Sequence, residues 1–517
     1  YCKIIYHIMK KLIIFAIIIL TSISNVFSQT HSLDKCLEII KQREEVYFYF
    51  PAQKNELELF SKMLSLDFYD GKYAYAYANP KQFDIFKSLN RKCFPVESYY
   101  DISNKALNMA ESVDEMLDWD KYPQFEVYEE MMQNFTLDFP QICRLDTIGF
   151  SVNNRPLLVM HITSDFDANE NLPEFFYTGQ MHGDELVGGL LFLRLIYHLI
   201  SNYGFDGEIT YLLENLNIYI NPYANPDATW YGGNHTVEDS RRNNAENIDL
   251  NRNYPDAIDG LQPDGNSTAH ENIIFMNFAN EHNFIMSANS HSGAECLNYP
   301  FDTYSVLPAD NDWWDFVCRE YANHAQQNSP DGYLTDLNNG VTHGYSWYSV
   351  NGSRQDYINF FHNCREVTLE LSTEKKLDSN LLPQHWEYNR DALLSYMKQA
   401  TYGLFGKITD SITGEPLKAK IYINNHDFFN SHVFSNQNNG YYYRLLHQGT
   451  YDVKYIADNY KTKNFSVDIN NYEKQRLDVQ LVKLEELPPF ADFEIVNNSF
   501  VCNAEVSFRN LSEASSD

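Results

Sequence analysis

Phe175-Phe176-Tyr177-Thr178-Gly179-Gln180-Met181-His182-Gly183-Asp184-Glu185, running straight into the apolar stretch from Leu186 to Tyr203, decides how this chain folds. Its first residues read as a buried strand, and the stretch after Glu185 has the length of a helix. A strand that turns through a short polar corner into a long helix begins a β-α unit. His182 and Glu185 stand at that corner, three residues apart, where an imidazole and a carboxylate can reach one metal ion. These donors suit Zn²⁺, and three protein ligands would leave a fourth position for water. The same spacing recurs in His235-Thr236-Val237-Glu238. There it lies in a polar Gly/Asn-rich stretch with no periodic element behind it, so it carries no expectation of metal.

The alternation continues outward from the corner. Leu157 to Ile162, Glu174 to Thr178, Leu216 to Ile220, Phe284 to Asn289 and Glu366 to Leu371 read as strands. Leu186 to Tyr203 and Trp313 to Gln327 read as helices. Residues 118–400 are thus expected to form an α/β domain, a mixed twisted sheet with helices on both faces, whose ligands collect at strand carboxyl ends. Residues 29–117 read as a small α/β unit. It has strands at Glu45 to Phe50 and Tyr73 to Tyr77, and helices over Asn55 to Leu66 and Pro80 to Leu89. It is either an ordinary N-terminal domain or a segment that covers a cleft. From 402 to 483 helical periodicity ceases, and short β runs with turn signals predict a β-sandwich. Leu487-Pro488-Pro489 reads as a linker, and 488–517 as the start of another β module.

The chain has 517 residues, 44% of them hydrophobic and 15% aromatic, which describes folded protein. Its 39 basic and 70 acidic residues give a formal charge of −31. That balance disfavours nucleic acid and anionic membrane as partners, and would attract a cationic peptide. Residues 1–28 read as a leader: Met9-Lys10-Lys11 is basic, Leu12 to Leu20 is apolar, and Val26-Phe27-Ser28 precedes a plausible cut. The apolar core falls short of the ~20 residues a bilayer span needs, so a secreted or cell-surface protein is expected. Cys2 falls in the leader. Cys36, Cys93, Cys143, Cys296, Cys318, Cys364 and Cys502 remain, an odd number with no CxxC pair and no pairing that one sequence can fix.

Other segments supply the groups a hydrolytic metal site needs. His291 ends an apolar run beside Ser292-Gly293 and is the candidate third ligand. Arg241-Arg242-Asn243-Asn244 and Asp249-Leu250-Asn251-Arg252-Asn253 offer guanidinium and amide donors for a carboxylate. In Glu366-Val367-Thr368-Leu369-Glu370-Leu371 the period of two puts Glu366 and Glu370 on one face. Burial in an apolar strand would raise Glu370 toward a useful base, and a structural ion pair is the competing account.

With these segments together, the chain resembles the zinc metallocarboxypeptidases of the carboxypeptidase A/B superfamily. The likeness covers 118–400. Gln180-Met181-His182-Gly183-Asp184-Glu185, Arg242-Asn243-Asn244-Ala245, Asp249 to Asp256, Asn298-Tyr299-Pro300-Phe301-Asp302 and Thr368-Leu369-Glu370-Leu371-Ser372 point to its N/E (regulatory) branch. Leu404 to Leu481 resembles the transthyretin-like domain of that branch. Phe490 to Asp517 resembles the beginning of a polycystic-kidney-disease-type module, and the N-terminal unit resembles, more weakly, the activation segment of the other branch.

The resemblance implies one Zn²⁺ on His182, Glu185 and His291, with Asp249 orienting the first imidazole. It implies Glu370 as general base, favoured over Glu366 by its separation from Tyr348, and Arg242 as the cation at the oxyanion. Asn251, Arg252 and Tyr348 would hold a terminal carboxylate. Asp302 and Gln355 would line the side-chain pocket, which favours C-terminal Lys or Arg. Ser292 stands where the branch usually has Gly, and Gly352-Ser353 replaces its Gly-Gly. Lys121 is the nearest basic residue at which the N-terminal unit could be cut away. The expectation is a secreted exopeptidase acting on peptide or protein C-termini, the β modules contacting a surface, carbohydrate or protein. The rivals are the same site acting on other C-terminal residues or cell-wall peptides, and a non-catalytic peptide-binding relative.

Overall fold

The computed structural model describes residues 32–101, 105–167 and 171–484, with the backbone of two further strands, Phe493–Ile495 and Phe508–Asn510. The leader, Cys502 and most of the last β module lie outside these residues. Two compact units divide at Thr401/Tyr402.

The first unit holds two large sheets and a two-stranded one. The smaller of the two large sheets contains β1 (Val46–Pro51), β2 (Ser65–Tyr69), β3 (Tyr73–Ala78) and β4 (Phe94–Pro95), in the order β2-β3-β1-β4. Phe48, Phe50, Phe60, Phe83 and Phe86 fill its core from strands and helices alike. One expectation fails here. The helix over Asn55 to Leu66 stops at Ser61, and Ser65 opens a strand. Pairing with β3 (Ser65↔Tyr77, Leu66↔Ala76) supplies hydrogen bonds and buries Ser65 and Leu66, which outweighs local helical spacing.

β5 (Met109–Ala110) and β6 (Tyr122–Pro123) pair as a short parallel bridge between the sheets. The larger sheet has β7 (Cys143–Phe150), β8 (Pro156–Ile162), β9 (Glu174–Thr178), β10 (Asn217–Asn221), β11 (Phe284–His291), β12 (Ala294–Tyr299), β13 (Val341–His343) and β14 (Arg365–Ser372). Its order is β13-β12-β14-β11-β9-β10-β8-β7. The centre, β14-β11-β9-β10, is parallel, and antiparallel neighbours flank it. The mixed α/β expectation stands. β7, β12 and β13 were not read from the sequence. β7 is half-exposed at the sheet's edge and lacks the apolar run that marked its neighbours.

The helix Leu186–Asn202 is buried along most of its length. Gly188 is required in it, because a Cβ there would lie 2.0 Å from Ser290 Oγ on β11. Among the described residues no single helix is long and apolar enough to cross a membrane.

The second unit carries two four-stranded sheets. One orders Tyr441–Arg444, Gly403–Asp410 and Lys474–Arg476, with Val479–Leu481 also on Gly403–Asp410. The other orders Val433–Phe434, Lys420–Ile423, Gly449–Ile456 and Lys463–Ile469. Leu404, Ile408 and Tyr442 from the first share one core with Ile421, Val453 and Tyr455 from the second, so the unit is the expected sandwich.

Candidate metal centre

Sheet register builds the site. β9 and β11 are parallel neighbours with Thr178 opposite Asn289, so the corner after β9 opens beside the end of β11. β11 and β14 pair with His291 opposite Glu370. Gln180 turns the corner with φ 54°, and its side-chain amide donates to Gly183 O at 3.1 Å and Thr229 Oγ1 at 2.9 Å. Gly183 is pressed against the Ala228–Thr229 backbone, where a Cβ would lie 2.4 Å away. The corner is thus clamped before it presents His182 and Glu185.

His182, Glu185 and His291 converge with all three ligand atoms within 4.8 Å of one another. His291 Nδ1 is 3.0 Å from His182 Nδ1 and 2.7 Å from Glu185 Oε2, while His182 Nδ1 is 3.0 Å from Glu185 Oε1. All three are buried. Two ring nitrogens and a carboxylate facing one point have no mutual donor pattern that satisfies them all, and a cation between them does. Two imidazoles and a carboxylate are a donor set for Zn²⁺. Burial, the largest influence, pulls His291 down to about 4, which keeps it in the neutral form a ligand needs. His235 and Glu238 join no such cluster among the described residues.

The surroundings orient these ligands. His182 Nε2 lies 3.0 Å from Asp249 Oδ1, which leaves Nδ1 facing the metal position. Arg242 Nε donates to Asp249 Oδ2 at 3.0 Å, and its Nη1 lies 3.3 Å from Glu185 Oε1. Asn251 Nδ2 lies 3.5 Å from His291 Nε2, and its Oδ1 accepts from Arg354 N at 2.9 Å. Arg252 is buried beside them.

Geometry separates the two strand carboxylates. Glu366 is held by Arg354 Nε at 3.1 Å, Ser287 Oγ at 2.7 Å and Asn289 Nδ2 at 3.0 Å, so it is the structural ion pair. Glu370 Oε2 is buried with no partner. Burial first, and then the Glu185 carboxylate, push Glu370 well above the usual carboxylate range.

Asp302 Oδ1 accepts from Asn298 Nδ2 at 2.9 Å and lies 3.4 Å from Gln355 Nε2, so these two expected pocket residues meet. Asp356, which sequence reading passed over, accepts from Asp302 N at 2.9 Å and Thr303 N at 2.9 Å and fixes the Asp302 turn. Its position next to Gln355 was the available signal.

Sequence reading offered the N-terminal unit as an ordinary domain or as a segment that covers a cleft, but named neither its contacts at the site nor Lys375. Lys375 Nζ donates to Glu185 Oε1 at 2.8 Å, Ser292 O at 2.9 Å and Asp67 Oδ1 at 2.9 Å. Asp67 Oδ1 lies 3.5 Å from Arg242 Nη1. Ser65 Oγ accepts from Arg242 Nε at 2.6 Å and donates to Asp249 Oδ2. The Leu66 carbonyl accepts from Arg252 Nη2 at 2.5 Å, and the Asp67 carbonyl from Tyr348 Oη at 3.1 Å. Arg242, Arg252 and Tyr348 are therefore all engaged by β2. Behind it, Glu45 accepts from the backbone of Arg242 and Asn243 at 3.1 and 3.0 Å. Tyr77 and Tyr99 both donate to Asp184, at 2.8 and 2.7 Å.

Comparison with known proteins agrees with this geometry. Residues 128–392 match the model of a family described as zinc carboxypeptidase. Carboxypeptidase D of Mus musculus is 36% identical over 365 residues, covering 67% of this chain and 26% of that protein. Carboxypeptidase M of the same species is 34% identical over 367 residues, covering 66% and 80%. The chain thus spans about a quarter of the length of the carboxypeptidase D proteins it matches. In fold it is similar to the crystal structure of carboxypeptidase A from Helicoverpa armigera, at 16% identity and TM-score 0.54, over 69% of this chain and 98% of that one.

Proposed function

Since the chain belongs to the zinc carboxypeptidase family, we propose that it is a secreted exopeptidase that removes C-terminal Lys or Arg, and that its N-terminal unit holds it latent. The observation that carries the peptidase reading is the convergence of His182, Glu185 and His291 beside an unpartnered, buried Glu370. A Zn²⁺ held by those three ligands would supply a Lewis acid and a water acidic enough to attack at neutral pH. Glu370 is placed to take a proton from an attacking water and to hand it to the leaving amine. Arg242 faces the charge that develops on the scissile carbonyl oxygen. Asn251, Arg252 and Tyr348 hold the terminal carboxylate, which restricts cleavage to the last residue, because only a chain end carries one.

Asp302, with Gln355 beside it and Asp356 behind it, favours a cationic side chain, since an apolar one would leave a buried carboxylate unpaired. The net charge of −31 supports the same preference. Export is supported by the sequence of residues 1–28. Peptides ending in Arg, Phe, Glu and D-Ala, compared by kcat/KM with and without a chelator, test this reading. Expected is chelator-sensitive cleavage with Arg ahead of the others by about 10²-fold or more. Equal rates for Phe and Arg would overturn the specificity, and chelator-insensitive cleavage would overturn the metal.

Latency is supported by the donors that β2 occupies. Leu66 O and Asp67 O take the Arg252 and Tyr348 groups assigned to the substrate carboxylate. The Asp67 carboxylate lies against Arg242 and Lys375. A substrate must displace these bonds before it binds.

A further inference from the structure

The core of the N-terminal unit contains two thiols that the peptidase reading does not use. Cys36, in the helix over residues 32–43, and Cys93, next to β4, are 0% and 2% exposed and belong to one apolar cluster. Two bonds bracket them. Ser32 Oγ donates to Cys93 O at 2.7 Å, and Lys35 Nζ donates to Glu97 Oε1 at 2.7 Å. Between these anchors the two thiols stand close enough for each to shift the other's titration, Cys36 upward and Cys93 downward. The same helix runs out into Arg43, which donates to Asp239 Oδ1 at 2.9 Å, and Glu45, which caps the Arg242–Asn243 backbone.

We propose that Cys36 and Cys93 are oxidised to a disulfide in the exported protein, and that this bond staples the helix bearing Arg43 and Glu45 to the sheet that covers the metal centre. The formation of the bond rests on export. Its consequence rests on the latent reading above.

The oxidant is a low-molecular-weight disulfide. One cysteine thiolate attacks one of its sulfurs, forming a mixed disulfide and releasing one thiol. The other cysteine thiolate then attacks the bound cysteine's sulfur and releases the second. Two protons and two electrons leave the cysteine pair, and the oxidant becomes two thiols. Both sulfurs are buried, so the exchange occurs while the unit folds or opens. Closing the long loop from 36 to 93 then restricts the unfolded chain and makes opening rarer.

The test uses the full chain, refolded with oxidised glutathione and, in parallel, kept in reductant. Alkylation, digestion and mass mapping should find the Cys36 and Cys93 peptides joined only in the oxidised sample. Trypsin clipping of the N-terminal unit, followed on a gel, should be slower there by about tenfold. The double variant C36S/C93S should clip at the fast rate under both conditions. Two alkylated thiols in the oxidised sample would overturn the disulfide. A cross-link without slower clipping would overturn the staple. Neither readout uses peptidase activity, so a full chain that is already active would refute latency and leave the disulfide standing.

Discussion

The N-terminal unit and the C-terminal sandwich are both small and rich in strands, yet the polar pairs that mark them span the chain differently. Several of the sandwich's pairs join its own strands and turns. Its buried Arg444 pairs with Asp427 at 2.7 Å, Tyr442 meets Tyr455 at 2.8 Å, and Asp410 accepts from Tyr460 at 2.8 Å. The N-terminal unit sends its buried polar groups outward. Ser65, Asp67, Tyr77 and Tyr99 find partners on Asp249, Lys375 and Asp184, and Glu45 finds the Arg242–Asn243 backbone. A buried polar group must be matched somewhere. When the match lies in another domain, the two are coupled, and either one changes the state of the other.

Three substitutions bear on this contrast. The largest effect belongs to what the N-terminal unit covers. Glu370→Gln should keep zinc, measured by metal content, and lose kcat by about 10²–10⁴-fold. Near-normal turnover would mean that the base is elsewhere and that the covered groups are not the catalytic ones.

Next is the contact itself. Asp67→Ala removes a charge-assisted contact to Lys375 and Arg242, a class of bond that contributes about 1.5–3 kcal/mol. In the full chain it should raise cleavage of a C-terminal Arg peptide by roughly tenfold or more. An unchanged rate would mean that the Asp67 contact does not hold the enzyme latent.

The smallest effect on activity should come from the sandwich. Arg444→Met strands Asp427 and should destabilise that unit by about 3–5 kcal/mol, seen in melting, without altering kcat/KM. A fall in kcat/KM would show that the sandwich acts on the catalytic residues. The pH profile follows from the same pair. Burial opposes ionisation of Asp427, but Arg444 outweighs it and holds the carboxyl well below its usual range. Its stabilisation is complete above the ordinary Asp value of about 3.9 and is lost as pH falls through the lower folded value.

Much of the centre was legible in the sequence because its signals are local. His182 and Glu185 flank a strand-to-helix corner, His291 ends an apolar strand, and Glu370 sits within one. The choice between Glu366 and Glu370 was not local: strand periodicity left both open, the resemblance favoured Glu370 by its separation from Tyr348, and in the structure Arg354 binds Glu366 while Glu370 Oε2 has no partner. β2 was misread for the same reason. Ser65 and Leu66 continue the spacing of a helix, and only β3 makes them a strand. Lys375 and Asp67 are 308 residues apart, so no window along the chain could have joined them.

The pairing of His291 with Glu370 across β11 and β14 has one more consequence. The backbones beneath these two residues are held at the spacing of adjacent strands, about 4.8 Å, which backbone hydrogen bonds impose. A substitution at either residue therefore changes the side chain without moving the backbone that carries it, whereas the loops that rim the sheet have no such fixed spacing.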